Sequence, residues 1–236
     1  MQQTSKRRTH WKGFPTHIVV FLLPATLVYT LFMIYPLIDS LRLSLFAPGA
    51  DGTEVFVGIQ NFVKLLTNEL WQPRFWGALK NNFVFFLIHG LVQNSIGLLL
   101  AALLSLRGLR GAGVYRTLLF LPTMLSVVII GFIWQLILSP LWGIAEGIMD
   151  LVGLDQFFGP WLGKESSALI TLGFISVWQW IGIPMMLFYA ALISIPDELV
   201  EAAHVDGATN WGIFWRVKFP LILPTVGMVL ILTYVG

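Results

Sequence analysis

Three stretches of the 236-residue chain hold the residue types best suited to binding or coupling. Wound as a helix, Asn82, His89 and Gln93 fall within about 20° of the Asn82 direction. Amides and an imidazole in an apolar run either line a solute path or bond one helix to another, and both readings stand. Trp178-Gln179-Trp180 sets an amide between two aromatic faces. That combination can hold a sugar ring, or it can bury the amide and turn the indoles to lipid. The third stretch runs from Glu201-Ala202-Ala203 to Asp206-Gly207-Ala208. Its alanines make a thin helix, and Gly207 can end that helix with a positive φ. A thin helix can enter a groove on a partner, or it can merely join two membrane helices. No acid–base pair or activated nucleophile stands out, so no catalytic residue is expected. Cysteine is absent and the histidines are isolated, so no metal site is expected either.

The elements that hold these residues are set by composition. Hydrophobic residues make up 57% of the chain and charged ones only 11%. A soluble domain carries roughly 25% charged residues, so lipid must solvate much of this surface. A net charge of +2, without a basic patch, gives no footprint for nucleic acid. Intervals free of Asp, Glu, Lys and Arg run 13–38, 81–106, 117–145, 166–196 and 219–236. A spanning helix needs about 20 apolar residues, so the first four suffice and the fifth barely does. Runs such as GLLLAALLSL do not alternate, which excludes barrel strands. The expected fold is an all-α polytopic transmembrane bundle of five spans. Residues 142–154 are amphipathic and too short to span, and they fit a helix lying on the membrane surface. Trp11, Trp71, Trp76, Trp142 and Trp161 fall near span ends, where an interfacial belt or loop packing would place them. Gly182 and Pro184 are expected to bend the fourth span.

Basic residues alternate from side to side. Lys6, Arg7, Arg8 and Lys12, then Arg107, Arg110 and Arg116, then Arg216 and Lys218, hold nine of the fourteen. The positive-inside rule puts these segments, and the N-terminus, in the cytoplasm. The loop 146–165 is acidic on balance and falls outside.

The late cytoplasmic segment reads as helix, turn, helix. Ser194 with Asp197 forms a start pattern, Pro196 suits a first turn, and Thr209 or Asn210 can cap the second helix. Pro220 and Pro224 bracket the start of the fifth span. The segment resembles the EAA loop of binding-protein-dependent ABC importer permeases: EAA, three residues, Gly, nine residues, then Ile-x-Leu-Pro. Glu201, Ala202, Ala203, Gly207 and Pro220 match, with Val217 and Phe219 as apolar replacements. Ile195-Pro196 and Asp206-Gly207-Ala208 resemble the carbohydrate branch, the maltose and glycerol-phosphate type.

The resemblance implies a type I permease-like fold. Residues 1–12 would form a cytoplasmic tail and 13–236 a permease domain, with the coupling loop at 195–220. Such permeases have six core spans, so a sixth is expected to be missing and the chain truncated. Glu201, Ala202, Ala203, Asp206, Gly207, Ala208 and Pro220 would couple to ATPase subunits. Asn82, His89, Gln93, Trp178, Gln179 and Trp180 would contribute to a substrate path. The chain would bind no cofactor, while ATP and Mg would be used by partner ATPases. Partners would be a second permease, in a heterodimer, two ATPases and an extracytoplasmic solute-binding protein, in the plasma (inner) membrane of a bacterium or archaeon. The alternative is an ion-coupled secondary transporter. It would ordinarily use intramembrane carboxylates, and none lies inside a charge-free span.

Overall fold

The computed structural model describes residues 16–49, 51–106 and 108–235, so the basic tail, Trp11 and Arg107 lie outside the described residues. The chain forms two compact units, one ending at Gly77 and one beginning at Ala78.

The first unit opens with α1 (Thr16–Tyr29) and α2 (Tyr35–Leu43), joined by a π-helical turn at Thr30–Ile34. In that turn the Tyr35 amide reaches back to the Thr30 carbonyl. The widened turn immediately precedes Pro36, whose ring would otherwise press on the carbonyl one turn back. Residues Ile18–Leu43 are together long and apolar enough to cross a membrane. Beyond them lies a hairpin, β1 (Phe46–Pro48) and β2 (Glu54–Phe56), with Phe46 opposite Phe56. These two three-residue strands form a loop hairpin within the expected all-α fold. Asp51 accepts hydrogen bonds from the hydroxyl and amide of Thr53, which hold its carboxyl below the usual range. Arg42 bridges Asp39 and Glu54, tying the helix end to the hairpin. Asn61 in α3 (Gln60–Thr67) donates to the carbonyls of Ser44 and Phe46.

Helix α4 (Gln72–Leu87) leads into the second unit. It runs through a π-helical segment, Ile88–Gln93, into α5 (Asn94–Leu104), and Gln72–Leu104 is long enough to span. Next come α6 (Ala112–Phe120) and α7 (Val127–Ile137), then the short α8 (Ala145–Leu151). Helices α9 (Glu165–Trp180) and α10 (Gly182–Ile193) precede the loop helices α11 (Asp197–Val205) and α12 (Asn210–Ile213). The last helix is α13 (Phe219–Val235). Three helices among the described residues are long and apolar enough to cross a membrane. The number rises to five if each bent pair is one span.

The two bends differ. Between α9 and α10 the axis turns by 45°, at the Gly182 and Pro184 expected to bend it. A Cβ at Gly182 would lie 2.9 Å from the Phe120 Cα, so the bend seats this backbone against α6. Between the α6 segment and α7 the turn is 97°, where Pro122 and an extended Leu125 interrupt the helix. The third apolar interval, 117–145, is thus a bent pair of helices: Leu121–Met124 is a 3-10 turn and Ser126 is extended.

The core sits where α5, α10 and α13 meet. Ala101, Leu104, Met185, Phe188, Leu192, Ile222 and Val229 are buried there. Gly97 makes the close approach possible, because a Cβ there would lie 3.2 Å from the Met185 amide nitrogen. Small residues facing a neighbouring backbone are how membrane helices gain packing when lipid is as apolar as leucine. Most other large apolar side chains are exposed, including Trp71, Trp76 and Trp142. Trp161 instead packs against the Ile130, Leu138 and Ile175 cluster.

Candidate functional site

The cleft and the loop are both built in the second unit. Asn82, His89 and Gln93 line a cleft of about 820 Å³ together with Trp180, Ser176 and Tyr234. His89 Nδ1 lies 2.9 Å from the Phe85 carbonyl oxygen, and Nε2 lies 3.0 Å from Ser176 Oγ. The polar stripe thus joins the π-helical segment to α9. Pro184 has no amide hydrogen to offer the carbonyl of Trp180, one turn back. Gln93 Nε2 donates to that carbonyl at 3.2 Å. Gln93 therefore repairs the hydrogen bond that the proline removes, as a broken membrane helix requires. Asn94 Nδ2 donates to Thr233 Oγ1, tying α5 to α13.

The Trp-Gln-Trp run divides three ways. Trp180 lines the cleft. Gln179 is 3% exposed and donates through Nε2 to the Leu125 carbonyl, which the 97° bend has freed from its helix. Trp178 stands edge-on to Trp134, ring centroids 5.6 Å apart, beside a smaller cavity of about 320 Å³. The structure thus gathers Asn82, His89, Gln93 and Trp180 and sets Gln179 and Trp178 elsewhere. Ser176, Thr233 and Tyr234 escape a reading of the sequence. Ser176 stands one turn before Trp180, but its partner His89 lies 87 residues away.

The loop that carries α11 and α12 is organised by its ends. Helix α11 starts after Pro196, which occupies the cap position and not the first turn. Ser194, expected to mark the start, donates instead to the Ala191 carbonyl and closes the preceding helix. At the far end Gly207 has φ +80°. Its amide donates to the His204 carbonyl, and the Ala208 amide donates to the Ala203 carbonyl. These paired bonds satisfy carbonyls that the helix end would leave open. Thr209 Oγ1 then accepts from the Gly212 amide and caps α12. Val205, at the end of α11, is 87% exposed. Pro220 and Pro224 do not break the last span, since residues Asn210–Val235 form one continuous helix. A π-helical turn at Phe214–Lys218, closed by the Phe219 amide on the Phe214 carbonyl, precedes Pro220 just as its counterpart precedes Pro36. Among the described residues no three His, Asp or Glu gather as they would around a metal ion.

An apolar helical bundle with bent spans, internal polar bonds and a capped helix-turn-helix loop defines a polytopic membrane protein. The profile of the binding-protein-dependent transport system inner membrane components matches residues 93–236, and the chain belongs to that family. It is 34% identical over 219 residues to the probable ABC transporter permease YurN of Bacillus subtilis, covering 92% of this chain and 73% of that one. It is 31% identical over 233 residues to the lactose transport system permease LacF of Rhizobium radiobacter, covering 99% and 76%. Among solved structures it is similar to a bacterial ABC transporter involved in the import of the acidic polysaccharide alginate. The TM-score is 0.78 at 26% identity, covering 92% of this chain and 72% of that one. The family is one of transporter permeases, and the match stands against the ion-coupled alternative.

Proposed function

We propose that this permease imports a sugar or sugar-like solute, driven by ATP hydrolysed on separate subunits, and that α11 is where those subunits attach. The supporting observation is the build of α11. Bonds within the chain close its C-terminal end, Ala203 keeps it thin, and Val205 faces outward at its tip. Exposed apolar surface on a thin, capped helix fits insertion into a partner's groove. In this reading Glu201, Ala202, Ala203, Asp206, Gly207 and Ala208 form the contact, and Pro220 sets the start of the last span. The cleft lined by Asn82, His89, Gln93 and Trp180 forms part of the solute path. The sugar reading draws on the lactose permease among the relatives. The assembly comprises a second permease, in a heterodimer, two ATPases using ATP and Mg, and an extracytoplasmic solute-binding protein. The N-terminus, Arg110 and Gly207 lie in the cytoplasm of a bacterial or archaeal cell, and Asp150 outside.

The test is uptake by the reconstituted assembly in proteoliposomes. Uptake of radiolabelled oligosaccharides should require ATP on the α11 side and survive an ionophore that collapses ion gradients. Uptake abolished by the ionophore, with ATP present, would reject the mechanism. Single cysteines at positions 110, 150 and 207 should label with an impermeant thiol reagent from inside, outside and inside. Labelling of position 207 from outside would reject the topology.

A further inference from the structure

We infer that the start of the last span, from Trp211 to Phe219, is a binding site for an anionic phospholipid. Three rings stand in a row there. The Trp211 and Trp215 centroids lie 5.6 Å apart and those of Trp215 and Phe219 5.0 Å. Phe214 flanks the row, 5.1 Å from Trp215. In an unbroken α-helix the step from Trp211 to Phe219 would turn the last ring about 80° away from the first. The π-helical turn at Phe214–Lys218 winds less per residue and brings Phe219 back toward the Trp211 direction. The indoles are the open end of the row, Trp211 at 72% and Trp215 at 44% exposed. Residues Asn210–Val235 are long and apolar enough to span, so the row is the span's entry. It rises about 12 Å, enough to cross a headgroup layer of about 5–8 Å and enter the hydrocarbon. That is the depth at which indoles settle between water and lipid.

Charge decides which lipid. Arg216 adjoins Trp215 and is exposed, and Lys218 stands one turn past Phe214, beside the row. Neither forms an ion pair with a described residue. No Asp or Glu occurs from Gly207 to Gly236, so the row carries positive charge alone. The stems of these two side chains can lie in the apolar layer while their charged heads reach a lipid phosphate. A zwitterionic lipid answers that phosphate with its own cation, whereas an anionic lipid leaves it for the protein. Helix α11 has the opposite charge, with Asp197, Glu198 and Glu201 in it and Asp206 at its C-cap. An anionic surface therefore draws in the basic start of the span and repels the acidic loop helix. The lipid would seat α12 on the membrane and hold α11 away from it.

The test reads which molecule touches the row. In the assembled transporter p-benzoylphenylalanine replaces Trp211, with Trp215 as a second position should the first disturb folding. The transporter sits in nanodiscs of phosphatidylcholine with roughly one phosphatidylglycerol in ten, acyl chains matched. After illumination the adducts are identified by mass spectrometry. They should be phospholipid, with phosphatidylglycerol at least about threefold above its bulk share. Arg216→Gln with Lys218→Gln should return the ratio to bulk. Arg216→Lys with Lys218→Arg, which keeps both charges, should preserve it. Adducts with an ATPase subunit or a second permease would make the row a protein interface and overturn the inference. Lipid adducts at the bulk ratio, or no adduct at either position, would overturn it as well.

Discussion

The α11–α12 loop and the cleft are both polar features of an apolar chain, and they are built in opposite ways. In the loop the bonds that close the helix ends are short in sequence. Gly207 bonds to His204, Ala208 to Ala203, and Thr209 to Gly212. In the cleft the organising bonds are long. His89 meets Ser176, Gln93 meets Trp180, and Asn94 meets Thr233, 139 residues on. A local device can be moved or broken without disturbing the bundle. A non-local one doubles as the mortar of the bundle, so in the proposed solute path binding and stability would be mixed in the same side chains.

The largest effect should come from breaking the loop. Gly207→Val forces a β-branched residue to φ +80°, where nothing lies within 4 Å of the added carbon. The penalty is therefore torsional, at least about 1–2 kcal/mol. Ala203→Asp places a charge in a contact proposed to be packed, at a cost of several kcal/mol. Both should reduce ATPase retention on affinity purification and uptake by at least about tenfold, while permease insertion stays normal. Full retention by both would make the loop a plain connector.

A smaller effect is expected at the helix crossing beside the cleft. Gly97→Val drives a branched side chain toward the Met185 amide and the Pro184 ring. Overpacking of that kind costs about 1–3 kcal/mol. It should lower the thermal midpoint of the purified permease while leaving attachment through α11 intact. An unchanged midpoint would mean that α5 and α10 can separate freely.

The two glutamines sharpen the comparison further. Gln93→Leu and Gln179→Leu each leave one carbonyl at a bend without its donor, costing about 1–3 kcal/mol. Both should lower stability. Only Gln93→Leu should also raise the KM for solute, because Gln93 lines the cleft and Gln179 does not. A raised KM for Gln179→Leu at matched stability would place the solute path on the other side of α9. The smallest expected change is Thr209→Ala, the loss of one cap worth about 1 kcal/mol. It should loosen α12, seen as faster amide exchange at Gly212, and leave uptake near normal.

What can be read from residues alone divides along the same line. The membrane class, the apolar intervals, the bend at Gly182 and Pro184 and the role of Gly207 are consequences of local chemistry. Apolar length, a missing amide hydrogen and a permissive backbone do not depend on distant neighbours. The helical stripe of Asn82, His89 and Gln93 is likewise visible, since periodicity places residues on one face. Which of two faces Gln179 takes is not visible. The answer depends on the Leu125 carbonyl, 54 residues earlier, being released by a bend that no glycine marks. Ser176 and Thr233 escape for the same reason, because a lone hydroxyl in a span means little until its partner is known. The local ends of helices are thus decided by the sequence by itself, whose caps and breakers act within a turn. The partners of buried polar groups are decided only by the tertiary structure. Lipid offers such groups no hydrogen bonds, so each must take whichever neighbour the packing of distant helices brings within reach.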